Sequence, residues 1–334
     1  MKEMLGPDTD ISVAIIIPTR NRPSNLTKLL DSICASTIKP VQVIIVASGQ
    51  DVASYLGKYR KLLNLRYLYT KKSGQVFQKK LGIKMLDKRI EWCVFTDDDL
   101  FFSKTALQDA INASKKKSHF PIIGVGFSLT PTSRIVKKNR ATRFFARLFG
   151  LDSQYKGKVL KSGHGTSYLE SADDQFTEWL NGVSMWKLET VKKYTDFVPE
   201  ISPASCEDLV FSYEVSKFGK LIYASRAKVY FQNSARTNPE NFINFRTAAL
   251  WRLFFVIRHH ELSLYRFLIS QITRFLFLLI KIKREKSFTV LDYWKWLIKF
   301  NRLALELANS ESNKYIVNRI INFQNSFTKK LESN

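Results

Sequence analysis

Three consecutive aspartates, Asp97, Asp98 and Asp99, follow the apolar run Trp92–Thr96. Neighbouring carboxylates repel, raise one another's pKa and destabilise a fold unless a cation neutralises them. Hard oxygen donors in this density suit Mg2+ or Mn2+, and such an ion can bridge two carboxylates to a diphosphate and offset the charge that grows on a leaving group. A bare triplet also fits a solvated acidic loop or a helix N-terminal cap, because a helical stretch follows from Lys104. A second acidic pair, Glu207-Asp208, opens a helix-like segment that runs towards Phe218-Gly219. A carboxylate at a helix start is held by backbone donors and can point into a cleft, where it suits deprotonation of a hydroxyl. The plain alternative for this pair is helix capping.

The elements that position these groups are readable from periodicity. Val13–Ile17 is a β-branched run closed by Pro18, as in a buried parallel strand. Leu26, Leu29, Leu30 and Ile33 recur at helical spacing over 25–35, with Ser24 placed to cap. Strands are expected over 41–46, 65–69 and 92–96, with a helix over 76–86 between the last two, and short strands at 221–223 and 228–231. Regular structure is expected over 178–194, and a helix over 208–218 with Gly219 as its C-cap. Alternating strands and helices predict an α/β, mostly parallel, doubly wound sheet that binds ligands beyond the carboxyl ends of its strands. Pro18-Thr19-Arg20-Asn21-Arg22, Ser48 to Asp51 and Asp97 to Asp99 are delivered there.

In this order the motifs resemble those of the family 2 glycosyltransferases. Val13-Ala-Ile-Ile-Ile-Pro-Thr-Arg-Asn-Arg22 is similar to that family's first strand and nucleotide-binding loop, and Phe95-Thr-Asp97-Asp98-Asp99 to its DXD motif. Glu178-Trp179-Leu-Asn181-Gly182 through Met185 resembles the segment beside the acceptor pocket, and Cys206-Glu207-Asp208-Leu-Val-Phe-Ser-Tyr the motif that supplies the base. The resemblance implies a GT-A fold and inverting transfer from a nucleotide-diphosphate sugar. It places Pro18, Thr19, Arg20, Arg22 and Ser48 around the nucleotide, and Asp97 and Asp99 towards diphosphate and metal. It places Asp98 beside the donor sugar, and Trp179, Asn181 and Gly182 on the acceptor side. Asp208 becomes the base, with Glu207 second, and Lys79 of Gln78-Lys79-Lys80-Leu-Gly82 stands near the phosphates or donor. Two departures are visible: Ala47 replaces the aspartate that reads the base in many relatives, and Phe231 stands where a histidine often supports the metal.

Composition bounds the rest. With 53 Lys+Arg against 29 Asp+Glu, the formal charge of +24 calls for an anionic partner. Cys34, Cys93 and Cys206 have no paired-ligand spacing and read as reduced thiols. The opening MKEMLGPDTD lacks the apolar core of a signal peptide, so a cytoplasmic catalytic part is expected. A catalytic domain over 1–238 is expected to precede a helical, basic, aromatic extension over 239–334. In that extension Leu264–Ile282 is interrupted by Arg266, Gln271 and Arg274, which argues against a spanning helix. An interfacial helix and a packed bundle both remain open for it. Arg140 to Phe149 is expected to form a short helix with an aromatic face beside arginines. His164 reads as a loop histidine or a substrate contact. The expected partners are therefore the sugar donor, a lipid-linked or polysaccharide acceptor and an anionic membrane surface, with the protein peripheral on its cytoplasmic face. A sugar-nucleotide nucleotidyltransferase is disfavoured because Thr19–Arg22 holds no glycine. A nucleic-acid binder is disfavoured because the tail's aromatics are embedded in apolar helical runs.

Overall fold

A computed structural model describes residues 11–130, 140–169, 171–232, 242–281 and 289–332. The opening decapeptide, the basic stretch 131–139 and the expected boundary at Asn238 lie outside these residues. The chain divides into two compact units. One gathers 1–136, 167–202 and 208–236, the other 137–166, 203–207 and 237–334. Two internal segments thus join the C-terminal helices, where a single boundary near 238 was expected.

The first unit is a nine-stranded sheet. β1 (Val13–Arg20), β2 (Gln42–Ser48), β3 (Leu65–Thr70) and β4 (Trp92–Phe95) form its parallel half, in the order β3-β2-β1-β4. β1, β2 and β4 are buried almost throughout, which is why they read as unbroken apolar runs. The other half is mixed. β8 (Ser184–Lys187) lies antiparallel between β4 and β6 (Ile122–Thr130), and β9 (Lys220–Phe231) runs parallel to β6. β5 (Leu100–Phe102) and β7 (Gln175–Thr177) are both antiparallel to β9. The two short strands expected at 221–223 and 228–231 are one strand, interrupted where the β6 register jumps from Phe127–Ala224 to Ser128–Lys228.

β1 does not stop at Pro18. Pairing with β4 ends at Ile16–Phe95, so the proline's missing N–H falls where no strand acceptor faces it, and the strand continues along β2 to Arg20. α1 (Pro23–Cys34) then starts with Pro23 in its first turn and Arg22 as N-cap. Ser24 is therefore inside the helix and does not cap it, because the fixed φ of proline begins the helix earlier than the apolar spacing indicates. α2 (Gln75–Lys84) packs on β1 and β2, and α3 (Ala106–Ser114) on β6 and β9. β5 intervenes between Asp99 and α3, so the aspartates do not cap that helix. The 178–194 region resolves into β8 with two short helices, α5 (Leu188–Lys192) and α6 (Tyr194–Phe197). α7 (Glu207–Val215) ends before Gly219. That glycine is not a left-handed cap; a Cβ there would come within 2.7 Å of the Pro121 carbonyl oxygen and of Ile123 Cγ2.

The second unit is helical. It contains α4 (Arg140–Leu148), α8 (Phe242–Arg258), α9 (Leu264–Lys281), α10 (Val290–Leu307) and α11 (Asn313–Glu332). Its core is aromatic: Phe242 stacks on Tyr293 at 3.7 Å, and Trp296 stacks on Phe300 at 4.7 Å. α9 is a packed bundle helix on the side of Phe267, Phe275 and Leu278, yet it leaves Tyr265, Ile272 and Leu276 exposed. Of its polar interruptions Gln271 turns inward, whereas Arg266 is exposed and Arg274 half-buried. Gln271 and Ser270 are fully buried and form a hydrogen-bonded triad with His164, which lies in a loop, as expected, and is buried in this unit. α4 exposes Phe144, Phe145 and Leu148 beside Arg143 and Arg147, as the sequence indicates. Among the described residues no helix is long and apolar enough to cross a membrane.

Candidate active site

The parallel half of the sheet ends in the polar residues that its topology delivers. Beyond β1, Thr19 Oγ1 donates to Asp98 Oδ2 at 2.7 Å, and Arg22 Nη1 donates to Asp98 Oδ1 at 3.0 Å. The same guanidinium lies 3.5 Å from Asp99 Oδ2, so one cation serves two members of the acidic triplet. Burial pushes the Asp98 carboxyl above its ordinary range; Thr19 and Arg22 oppose that shift, and the Asp99 charge adds to it. Asp98, expected beside a donor sugar, is instead only 4% exposed and spends both oxygens on β1 and the loop after it. Asp97 is more open, and its Oδ1 accepts a hydrogen bond from Gln75 Nε2 at 2.8 Å.

Two glutamines stitch the strand ends together. Gln78 Nε2 donates to the Thr19 carbonyl at 2.9 Å and to the Val46 carbonyl at 2.7 Å, tying the ends of β1 and β2. Gln232, immediately after β9, donates through Nε2 to the carbonyls of Asn25, Asp98 and Leu100, and its backbone N–H reaches the Asp99 carbonyl. Gln232 thus ties the end of β9 to the acidic loop. Lys79, expected near phosphate, is 2% exposed, with its ammonium 5.4 Å from the centre of the Phe95 ring.

At the end of β2, Ser48 is fully buried and its hydroxyl has no hydrogen-bond partner. Gly49 and Asn21 both take left-handed backbone conformations, and Asn21 Oδ1 accepts the Gln50 N–H at 2.7 Å. A Cβ on Gly49 would collide with that amide oxygen. Tyr67 donates to Asp51 Oδ1 at 2.5 Å; burial and this carboxylate push its phenol up to about 12. Pro18 is buried beside Val46, and Arg20 is exposed at the strand tip.

The fourth contribution is the turn before β8. Gly182 faces Asp97, and a Cβ there would meet only Asp97 Oδ2, at 3.9 Å. The Asn181 N–H donates to the Tyr168 hydroxyl at 2.6 Å, and Trp179 packs edge-on against the same ring at 5.1 Å. Ser212 of α7 accepts the Leu180 N–H at 3.0 Å, joining the turn to the helix that carries Asp208. Asp208 is half-buried in the first turn of α7, and its Oδ1 accepts the Leu209 N–H at 2.8 Å. Burial, with the Asp208 charge adding to it, holds the Tyr168 phenol well above its ordinary value. Glu207 opens the same helix and is more deeply buried, at 6% exposed. The segment Trp179–Gly182 thus lies beside the Asp97 carboxylate and is tied through Ser212 to the helix that carries Asp208.

Among the described residues no group of three or more His, Cys, Asp and Glu side chains is arranged for a metal. Asp97 and Asp99 are the hard oxygen donors at the strand end, and Gly182 leaves the Asp97 side of them unobstructed. That donor set fits a divalent cation that completes its coordination with oxygens of a bound ligand, and not one caged by protein alone.

A mixed α/β sheet of this kind, with C-terminal helices after it, matches the GT-A fold of glycosyltransferases. Residues 14–176 match the family described as Glycosyl transferase family 2. Among solved structures, Staphylococcus aureus TarS 1-349 superposes with a TM-score of 0.54 at 14% identity, over 96% of this chain and 92% of that one. The mannosyltransferase PcManGT from Pyrobaculum calidifontis, in complex with GDP-Man and Mn2+, gives 0.51 at 14% identity, over 98% and 89%. GalNAc-T7 with UDP, GalNAc and Mn2+ gives 0.53 at 12% identity, over 75% and 51%. At these identities the likeness is one of fold. No curated protein matches the sequence at a significant level.

Proposed function

We propose that the protein transfers a sugar from a nucleoside-diphosphate donor to an acceptor hydroxyl with inversion at the anomeric carbon. The observation that carries this reading is the Trp179–Gly182 segment, which lies beside Asp97 at the end of β4 and is tied through Ser212, and through Tyr168, to the surroundings of Asp208 at the start of α7. Thr19, Arg22 and Ser48 line the nucleotide side. Asp97 and Asp99 face the diphosphate and would hold a divalent cation, Mg2+ or Mn2+, which would neutralise charge on the leaving group. Asp98 positions Arg22 and Thr19. Asp208 takes the proton of the acceptor hydroxyl, the freed oxygen bonds to the anomeric carbon, and the carbon–oxygen bond to the diphosphate breaks on the opposite face with its electron pair. Similarity of fold to TarS, solved with UDP, and to PcManGT, solved with GDP-Man and Mn2+, supports this class of donor. The acceptor in this reading is a lipid-linked or growing glycan.

The test is release of nucleoside diphosphate from a panel of UDP-, GDP- and dTDP-sugars by the purified chain, with Mg2+ or Mn2+. One donor is expected to be hydrolysed or transferred above background. Asp99→Asn is expected to lower that rate at least about a hundredfold, the scale of lost charge stabilisation in a transition state. Full activity in excess chelator removes the metal from the scheme, and inactivity towards every donor removes the transferase reading.

A further inference from the structure

We propose that the groove between α10 and α11, with the outward stripe of α10 beside it, is a binding surface for anionic phospholipid, the phosphate lodging in the groove. The groove encloses about 330 Å³ and is lined by Lys299 and Arg302 of α10 and by Arg319 and Asn322 of α11, with Leu303 and Phe323 beneath them. Its one carboxylate, Glu306, is already committed: Arg319 donates to its two oxygens at 2.7 and 2.6 Å, and Tyr315 adds a third bond at 3.0 Å. Arg302 has no acidic partner among the described residues, and the Lys299 ammonium lies 5.4 Å from the Phe327 ring centre. Beside the Arg319–Glu306 pair the lining therefore carries two cations with no acid of their own, which is the chemistry that receives a phosphate.

The stripe says what kind of phosphate. Leu291, Trp294, Ile298 and Leu305 are 59, 42, 52 and 65% exposed, and their spacing of three, four and seven residues puts them on one face of α10. Lys295 and Arg302 border that face. The only other acid of the helix, Asp292, is consumed in the capping box with Thr289. An exposed apolar stripe edged by uncompensated cations fits a bilayer surface, where side chains enter the acyl boundary and the cations stay among headgroups. A nucleic acid or a free phosphate would gain nothing from exposed leucine and isoleucine.

The experiment is flotation of the full-length protein with vesicles of phosphatidylglycerol and phosphatidylcholine, against vesicles of phosphatidylcholine alone. Binding is expected only to the anionic vesicles, and 0.5 M NaCl should weaken it without abolishing it. Replacing both exposed cations, Lys299→Gln with Arg302→Gln, should lower the partition coefficient about 30-fold, the factor for two basic residues worth ~1 kcal/mol each at an anionic surface. Arg302→Lys should retain binding, and Ile298→Ser with Leu305→Ser should remove the salt-resistant part. Brominated acyl chains should quench emission that disappears in Trp294→Phe. Unchanged binding by the double glutamine variant overturns the proposal. So does preferential binding of a short DNA duplex. Displacement by 10 mM inorganic phosphate at constant ionic strength would make the groove a site for a soluble anion and would also overturn it. Donor hydrolysis in the same variants should match the parent, so the outcome here is separable from that of the transferase reading.

Discussion

Asp98 illustrates how one buried side chain can hold the residues around it in place. Its buried carboxylate holds Thr19 and Arg22, and burial makes its ionisation harder than usual. Thr19→Val removes a hydrogen bond that favours the charged form, so the Asp98 pKa should rise further. Ionisation is then completed at higher pH, and the acid limb of the kcat/KM profile should move upwards; an unmoved limb assigns that limb to another group. Asp208→Asn should nearly abolish turnover while leaving donor affinity within a few-fold, because a base acts on the acceptor. If Glu207→Gln is the dead variant and Asp208→Asn is active, the two residues exchange roles. The acidic residues could be found in the sequence because three carboxylates behind an apolar run are costly without a purpose. Gln75, Gln78, Gln232 and Tyr168 could not, because each is a single neutral polar residue whose task is set by carbonyls and carboxylates distant in sequence.

At the level of elements, α2 is the part on which the site leans most. It carries Gln75 to Asp97 and Gln78 to the ends of β1 and β2, and it approaches the sheet through Gly82. A Cβ at Gly82 would come within 2.6 Å of Ile16 Cγ2. Gly82→Ala should therefore cost about 1–3 kcal/mol by overpacking, read from the urea midpoint, and should weaken donor binding as α2 is pushed outward. Gln78→Leu should cost a similar ~1–3 kcal/mol for a different reason, two strand-end carbonyls left without a donor. The parallel strands were legible because burial on both faces writes a continuous apolar run. β5 and β7 were not, since three residues carry no period, and their pairing with β9 is settled by contacts far along the chain. Pro18 and Gly219 misled for the same reason: local preference marks an ending, whereas the neighbouring strand decides whether one occurs.

For the molecule as a whole, the excess of positive charge outweighs any single ion pair. A chain of formal charge +24 repels itself when folded, and salt screens that repulsion over about 10 Å at 0.1 M. Its thermal midpoint should rise by several degrees between 10 mM and 200 mM NaCl. A flat response would mean that the cations are already compensated in pairs. The division into two units adds a consequence through the thiols Cys34, Cys93 and Cys206, which form no disulfide. Cys93 lies wholly inside β4, two strand positions from the end that leads into the acidic triplet, and burial drives its thiol far above the ordinary range. Cys206 belongs to a short segment of the helical unit and is also buried. Neither can meet an alkylating reagent until the part that encloses it opens. The two sulfurs are thus built-in clocks, one for each unit. Their relative trapping rates under native conditions would reveal whether the sheet and the helices come apart together or in turn.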